Sequence, residues 1–206
     1  MSKGVLDLTV REFVGAAAAK TPTPGGGSVA AVVGSLGVAL GQMSLNFTIG
    51  KKKYAQHAAF HEHLAARMEK AQKMCLELVD DDVAAYSLYQ DAMKLEDGPQ
   101  KQQALQLALA GAINVPREMT KLALAVIEDL GSLADKCNTY LISDLLAGAT
   151  LCVAAIRLCD YNVRINVPQL EDKVAAQEIF QASASDRTKA YQMLEKLEQA
   201  CKAMLP

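Results

Sequence analysis

From residue 53 to residue 95 the chain contains neither proline nor glycine, and its apolar residues recur every three to four positions. That length and period specify one long helix, because strands alternate every second residue and rarely exceed about ten residues. The remaining punctuation is also helical. Thr9 followed by Glu12 is a capping box that predicts a short helix over 10–19. Thr21-Pro-Thr-Pro-Gly-Gly-Gly27 forbids helix, and Ser28 is placed to cap the next one, which should end near Gly50. Gly98-Pro99 stops the chain and restarts it into a helix reaching about residue 130, with a kink at Pro116 and an end at Gly131. Ser143 should cap a further helix to residue 161, residues 162–168 read as extended or irregular, and a last helix covers 171–204. The expected fold is all-α: one domain over 1–206, an antiparallel bundle of five or six helices with one long central helix.

The most apolar stretch, residues 29–41, is about thirteen residues long against the roughly twenty a membrane span needs, and no second apolar span is read beside it. It therefore reads as a buried helix. Gly34, Gly37 and Gly41 fall on one face, where a missing Cβ admits a neighbouring backbone. Each glycine costs a helix about 0.8–1.0 kcal/mol relative to alanine, so the stripe implies close packing, within the bundle or in a homodimer. A net charge of -2 and the absence of tryptophan argue against nucleic acid. Five cysteines with no CxxC spacing point to a reducing, cytoplasmic setting, and Asp7, Arg11 and Glu12 interrupt any signal-peptide core.

On the long helix the apolar stripe runs Ala71, Cys75, Leu78, Asp82, Ala85, Tyr86 and Tyr89. A carboxylate on that stripe must be paired or carry a raised pKa, and it then suits general acid–base work; it equally suits a structural aspartate satisfied by neighbouring donors. Asp80 and Asp81 fall off the stripe. Gly25, Gly26 and Gly27 present unobstructed backbone N–H groups ahead of a helix, either an anion or carbonyl site or a plain tight turn. Lys51, Lys52 and Lys53 fit a solvated helix end or a polyanionic ligand. Asn162, Arg164 and Asn166 alternate, so in an extended segment they share one side, either recognising a carboxylate or heterocycle edge or tying off helix ends. Ser143-Asp144 reads as helix capping. His57, His61 and His63 read as surface residues, and no metal site is assembled from them.

Several of these segments occur together in the order and spacing of one family: Pro24-Gly-Gly-Gly-Ser-Val-Ala-Ala31, Thr48-Ile-Gly-Lys-Lys-Lys-Tyr54, Asp80-Asp-Asp-Val-Ala-Ala-Tyr86, Val115-Pro116, Ser143-Asp144 and Asn162-Val-Arg-Ile-Asn166. The chain resembles the formimidoyltetrahydrofolate cyclodeaminase / methenyltetrahydrofolate cyclohydrolase family from about residue 6 to the C-terminus. The resemblance implies a metal-free, all-α homodimer without a cofactor, acting on a tetrahydrofolate derivative whose anionic tail carries one glutamate or several. It implies that Asp82 is the catalytic acid/base. Gly25, Gly26, Gly27, Ser28, Lys51, Lys52, Lys53, Asp144, Asn162, Arg164 and Asn166 are implied to belong to the folate site. The chain departs from the family at Cys137, where members commonly carry glycine, and at Leu145 and Leu146, where they carry an Ala-Gly pair. A non-catalytic folate-binding or interaction bundle is the alternative reading.

Overall fold

The computed structural model describes residues 4–205, and every regular element among them is helical. Six α-helices follow in order: α1 (Val10–Ala18), α2 (Gly26–Asn46), α3 (Ala58–Met93), α4 (Pro99–Leu133), α5 (Ile142–Asn166) and α6 (Lys173–Cys201). Short 3₁₀ turns fill several of the connections. Helices α2 to α5 pack on one another around a shared core, and α6 lies against α4 and α5. Helix α1 has the expected capping box, Glu12 N–H donating to Thr9 Oγ1 and Thr9 N–H to Glu12 Oε2 at 2.7 Å, yet none of its residues is buried.

The expected long helix is α3, 36 residues, α4 is nearly as long at 35, and against them pack α2 and α5. Those two make the most extensive helix pair in the bundle. The glycine stripe explains why. A Cβ at Gly37 would lie 2.8 Å from the Gly148 carbonyl oxygen and 2.8 Å from Cys152 Sγ, and one at Gly41 would lie 2.6 Å from Leu130 Cδ2. A Cβ at Gly34 would overlap the Met119 methyl. All three glycines are buried inside the chain: Gly37 serves the α2–α5 crossing, while Gly34 and Gly41 make room for Met119 and Leu130 of α4.

Other boundaries also moved. Helix α4 runs through both Pro116 and Gly131 to Leu133. Helix α5 continues through the segment expected to be irregular, to Asn166, because the first proline after Tyr161 is Pro168 and the last turn ends just ahead of it. Besides α2, the stretch Thr139–Gln169 is long and apolar enough to cross a bilayer, a second span that the sequence reading did not expect. Each has a face packed into the core.

The core chemistry is plain. All five cysteines are free and buried, and burial pushes Cys75, Cys152 and Cys159 up to about 12, so they are neutral thiols at neutral pH. Leu145 and Cys137 fill the same core, and Leu146 packs on its edge. His61 is buried rather than superficial, its Nε2–H donating to the Lys136 carbonyl at 2.8 Å. Placing a side chain at the α2–α5 crossing should be costly: Gly37→Leu is expected to destabilise the chain by at least about 1–3 kcal/mol, the range for overpacking, measured by chemical denaturation. Unchanged stability would refute the close crossing.

Candidate active site

Asp82 projects from the C-terminal half of α3 toward the first turn of α2. Its Oδ2 accepts two hydrogen bonds from Ser28, from the backbone N–H at 2.7 Å and the hydroxyl at 2.6 Å. The first N–H groups of a helix have no partner within it and carry the positive end of the helix dipole, so a carboxylate supplied by another helix stabilises that terminus. Ser28 is thus the third residue of α2 and a donor to Asp82, whereas the sequence placed it as the cap; Gly25 occupies the cap position. Between the two alternatives for a carboxylate on the stripe, the structure shows pairing. Asp80 and Asp81 are exposed.

Gly27 makes this arrangement sterically allowed. A Cβ there would overlap Asp82 Oδ1, whereas a Cβ at Gly26 would meet only the Asn162 amide, at 3.6 Å. Asp82 Oδ1 accepts no hydrogen bond among the described residues. It faces a cavity of about 580 Å³ bounded by the loop ahead of α2, by α3 and α4, and by the end of α5.

Two kinds of wall enclose that cavity. Its polar end holds Asp82, the glycines of the 25–27 loop, Asn162 and Asn166. Its apolar end is made by Tyr86, Tyr89 and Met93 of α3 facing Leu105 and Leu109 of α4, the two tyrosine rings 6.2 Å apart. The two tyrosines stand four and seven residues beyond Asp82, on its own helical face. That spacing is a signal in the sequence, where the same tyrosines extend the apolar stripe. Gln106 and Gln169 also line the cavity and carried no such signal.

The expected site is therefore split. Gly25, Gly26, Gly27, Ser28, Asp82, Asn162 and Asn166 gather at one end of the bundle. Lys51, Lys52 and Lys53 are exposed beyond the other end of α2, about 30 Å away along a 21-residue helix. Asp144 lies in the first turn of α5, about 27 Å along that helix from Asn162. Thr48 of the lysine motif is structural: its hydroxyl donates to the Ser44 carbonyl at 2.7 Å and accepts from Asn138 N–H at 2.8 Å.

Arg164 also leaves the expected set. Because residues 162–166 are helical, Asn162 and Asn166 share a face and Arg164 points elsewhere. Its Nε donates to Asp160 Oδ2 at 2.8 Å, and its guanidinium sits 5.0 Å from the centroid of the Phe180 ring. Asp160 is 1% exposed and also receives Arg187 and the Ser183 hydroxyl of α6, so this cluster ties α5 to α6. Asp160 carries little signal in the sequence because two of its three partners, Ser183 and Arg187, are more than twenty residues away on another helix. Among the described residues no three His, Cys, Asp or Glu side chains are grouped to hold a metal ion.

A formiminotransferase-cyclodeaminase sequence model matches residues 9–185. The chain belongs to that family. It is 32% identical over 175 residues to methenyltetrahydrofolate cyclohydrolase of Methylorubrum extorquens, covering 82% of this chain and 84% of that one. It is 32% identical to formimidoyltransferase-cyclodeaminase of Gallus gallus over 83% of this chain but only 32% of the much longer relative. Its fold matches the crystal structure of formiminotetrahydrofolate cyclodeaminase from Thermotoga maritima with a TM-score of 0.83 and 30% identity, over 96% of this chain and 98% of that one.

The Asp82–Ser28 bond gives the site a stability test. Gly27→Ala would force Asp82 to swing off Ser28 and should lower stability by about 1–3 kcal/mol, while Gly26→Ala should be nearly silent. Thermal unfolding of the two variants measures the difference, and equal melting temperatures would contradict the contact.

Proposed function

We propose that the chain is a folate one-carbon enzyme working on the N5–N10 bridge of tetrahydrofolate, as a formimidoyltetrahydrofolate cyclodeaminase, a methenyltetrahydrofolate cyclohydrolase, or both at one site. One observation carries this reading beyond family membership. Asp82 is anchored through one carboxylate oxygen and presents the other, without a partner among the described residues, to a cavity large enough for a pteridine and its aryl arm. The relatives this chain matches are named as enzymes, which favours turnover over the non-catalytic alternative.

In cyclodeamination, N10 attacks the carbon of the protonated N5-formimino group. Asp82 accepts the N10 proton and delivers it to the departing nitrogen, which leaves as ammonia while the N5–CH–N10 cation closes. In cyclohydrolysis, water adds to that cation as Asp82 takes its proton; the C–N5 bond then breaks as N5 gains a proton, giving 10-formyltetrahydrofolate and one released proton. Both paths pass through cationic species that a carboxylate favours, and such acid–base help contributes roughly 10²–10⁴-fold. Neither step is redox, so the proposal includes no cofactor. Ammonia yield from the formimino substrate and loss of methenyl absorbance separate the two activities.

Asp82→Asn keeps the size but cannot move a proton. It should fold, retain folate binding and lose about two to four orders of magnitude in kcat, whereas Asp81→Asn, exposed on α3, should leave kcat unchanged. Wild-type turnover by Asp82→Asn would reject the assignment.

The proposal extends to a homodimer in the reducing cytoplasm. Its support is the outer face of α2, where Val29, Val32, Leu36, Leu40, Met43 and Phe47 follow at helical spacing and remain partly or largely exposed, Leu36 at 53% and Phe47 at 56%. The five reduced, buried thiols support the compartment. A tail-binding role for Lys51, Lys52 and Lys53 requires a second copy to bring them to the cavity mouth. Leu36→Glu should shift the chain to monomer in sedimentation, and a wild-type monomer at micromolar concentration would reject the dimer.

A further inference from the structure

The helix through Pro116 has a consequence at the cavity. In a regular helix residue 116 would donate its N–H to the Ala112 carbonyl, and proline has none to give. Asn166 supplies the replacement from α5: its Nδ2 donates to Ala112 O at 3.3 Å and to Asn162 O at 2.9 Å. Asn162 Nδ2 is likewise held, donating to Leu158 O at 3.0 Å. Carbonyl oxygens only accept, so both amides must turn their NH₂ groups to the backbone and keep their Oδ1 atoms free of it. Neither Oδ1 has a protein donor among the described residues, neither is sealed from solvent, and both residues line the cavity with Ala112 and Asp82.

The polar end of the cavity therefore carries three acceptors: Asp82 Oδ1 and the two amide oxygens. A ligand suited to it presents N–H groups there. Resting on the folate reading above, we infer that Asn162 and Asn166 accept from the N–H-bearing edge of the reduced pteridine, its N3, 2-amino and N8 groups, and that Pro116 is the positioning residue that orients Asn166. The aryl arm then runs between Tyr86, Tyr89 and Leu105. Arg164, turned to Asp160, takes no part in this recognition.

The test uses 5-formyltetrahydrofolate, which keeps the pteridine edge, and p-aminobenzoylglutamate, which lacks it, as calorimetric probes of wild type, Pro116→Ala, Asn166→Ala and the double variant. Pro116→Ala returns an N–H to α4, so its folding is checked by a melting temperature at or above that of wild type. We expect Pro116→Ala to weaken 5-formyltetrahydrofolate binding by about three- to tenfold and Asn166→Ala by about tenfold, with KM raised more than kcat is lowered. The double variant should be no weaker than Asn166→Ala alone, and binding of p-aminobenzoylglutamate should be unchanged in all three. Unchanged affinity in a folded Pro116→Ala, equal losses for both probes, or additive losses in the double variant would overturn the inference while leaving the folate reading intact. A wild-type chain that neither binds 5-formyltetrahydrofolate nor turns over either folate substrate would overturn both.

Discussion

The bundle depends on how closely α2 and α5 can approach. At Gly37 and Gly148 each backbone occupies the space a Cβ of the other would need, the Gly148 carbonyl lying 2.8 Å from where a side chain at 37 would begin. Interiors pack near crystalline density, so a contact of this kind fixes the relative position of two helices more tightly than interdigitating long side chains would. With α2 seated on α5, the N-terminus of α2 and the C-terminal turns of α5 come to the same end of the molecule. The glycine loop and the Asn162–Asn166 pair meet there.

The carboxylate of Asp82 joins packing to chemistry. Its Oδ2 is fixed by both donors of Ser28, at a helix terminus that favours negative charge, and its Oδ1 remains open to the cavity. The acid/base proposed for Asp82 needs a reproducible position and an accessible lone pair, and the division of labour between the two oxygens would supply both. Gly27 belongs to this arrangement although it touches nothing chemically: its missing Cβ is the space the carboxylate occupies. The aromatic wall of Tyr86 and Tyr89 lies on the same helix as Asp82, so in the proposed mechanism α3 alone would hold a ligand's ring system in register with the proton-transfer group.

Much of this was legible in the sequence because helical periodicity and punctuation are local. The capping box at Thr9, the uninterrupted stretch after residue 53, the break at Gly98-Pro99 and the one-sided glycines of α2 all follow from bonding and sterics within a few residues. The phase of α3 placed Asp82 on an inward face, and the family motif pointed to the same residue. The errors share a cause. Residues 162–166 alternate polar and apolar, the pattern of an extended segment, while packing against α4 and α6 keeps them helical, which parts Arg164 from Asn162 and Asn166 and gives it to Asp160.

The sequence by itself determined the class of fold, the buried glycine face of α2 and the inward position of Asp82, since each depends on spacing along one helix. Only the tertiary structure decided which motifs share a site. Lys51–Lys53 and Asp144 stand in the same motif series as the glycine loop and Asn162, but a straight helix of about 30 Å separates the two groups within one chain. Conversely, Pro116 and Asn166, fifty residues apart, meet over one carbonyl oxygen. The physical reason is that a helix preserves order along its axis and carries its ends far apart, so proximity across the bundle depends on which helices pack together and in which direction, and no local spacing encodes that.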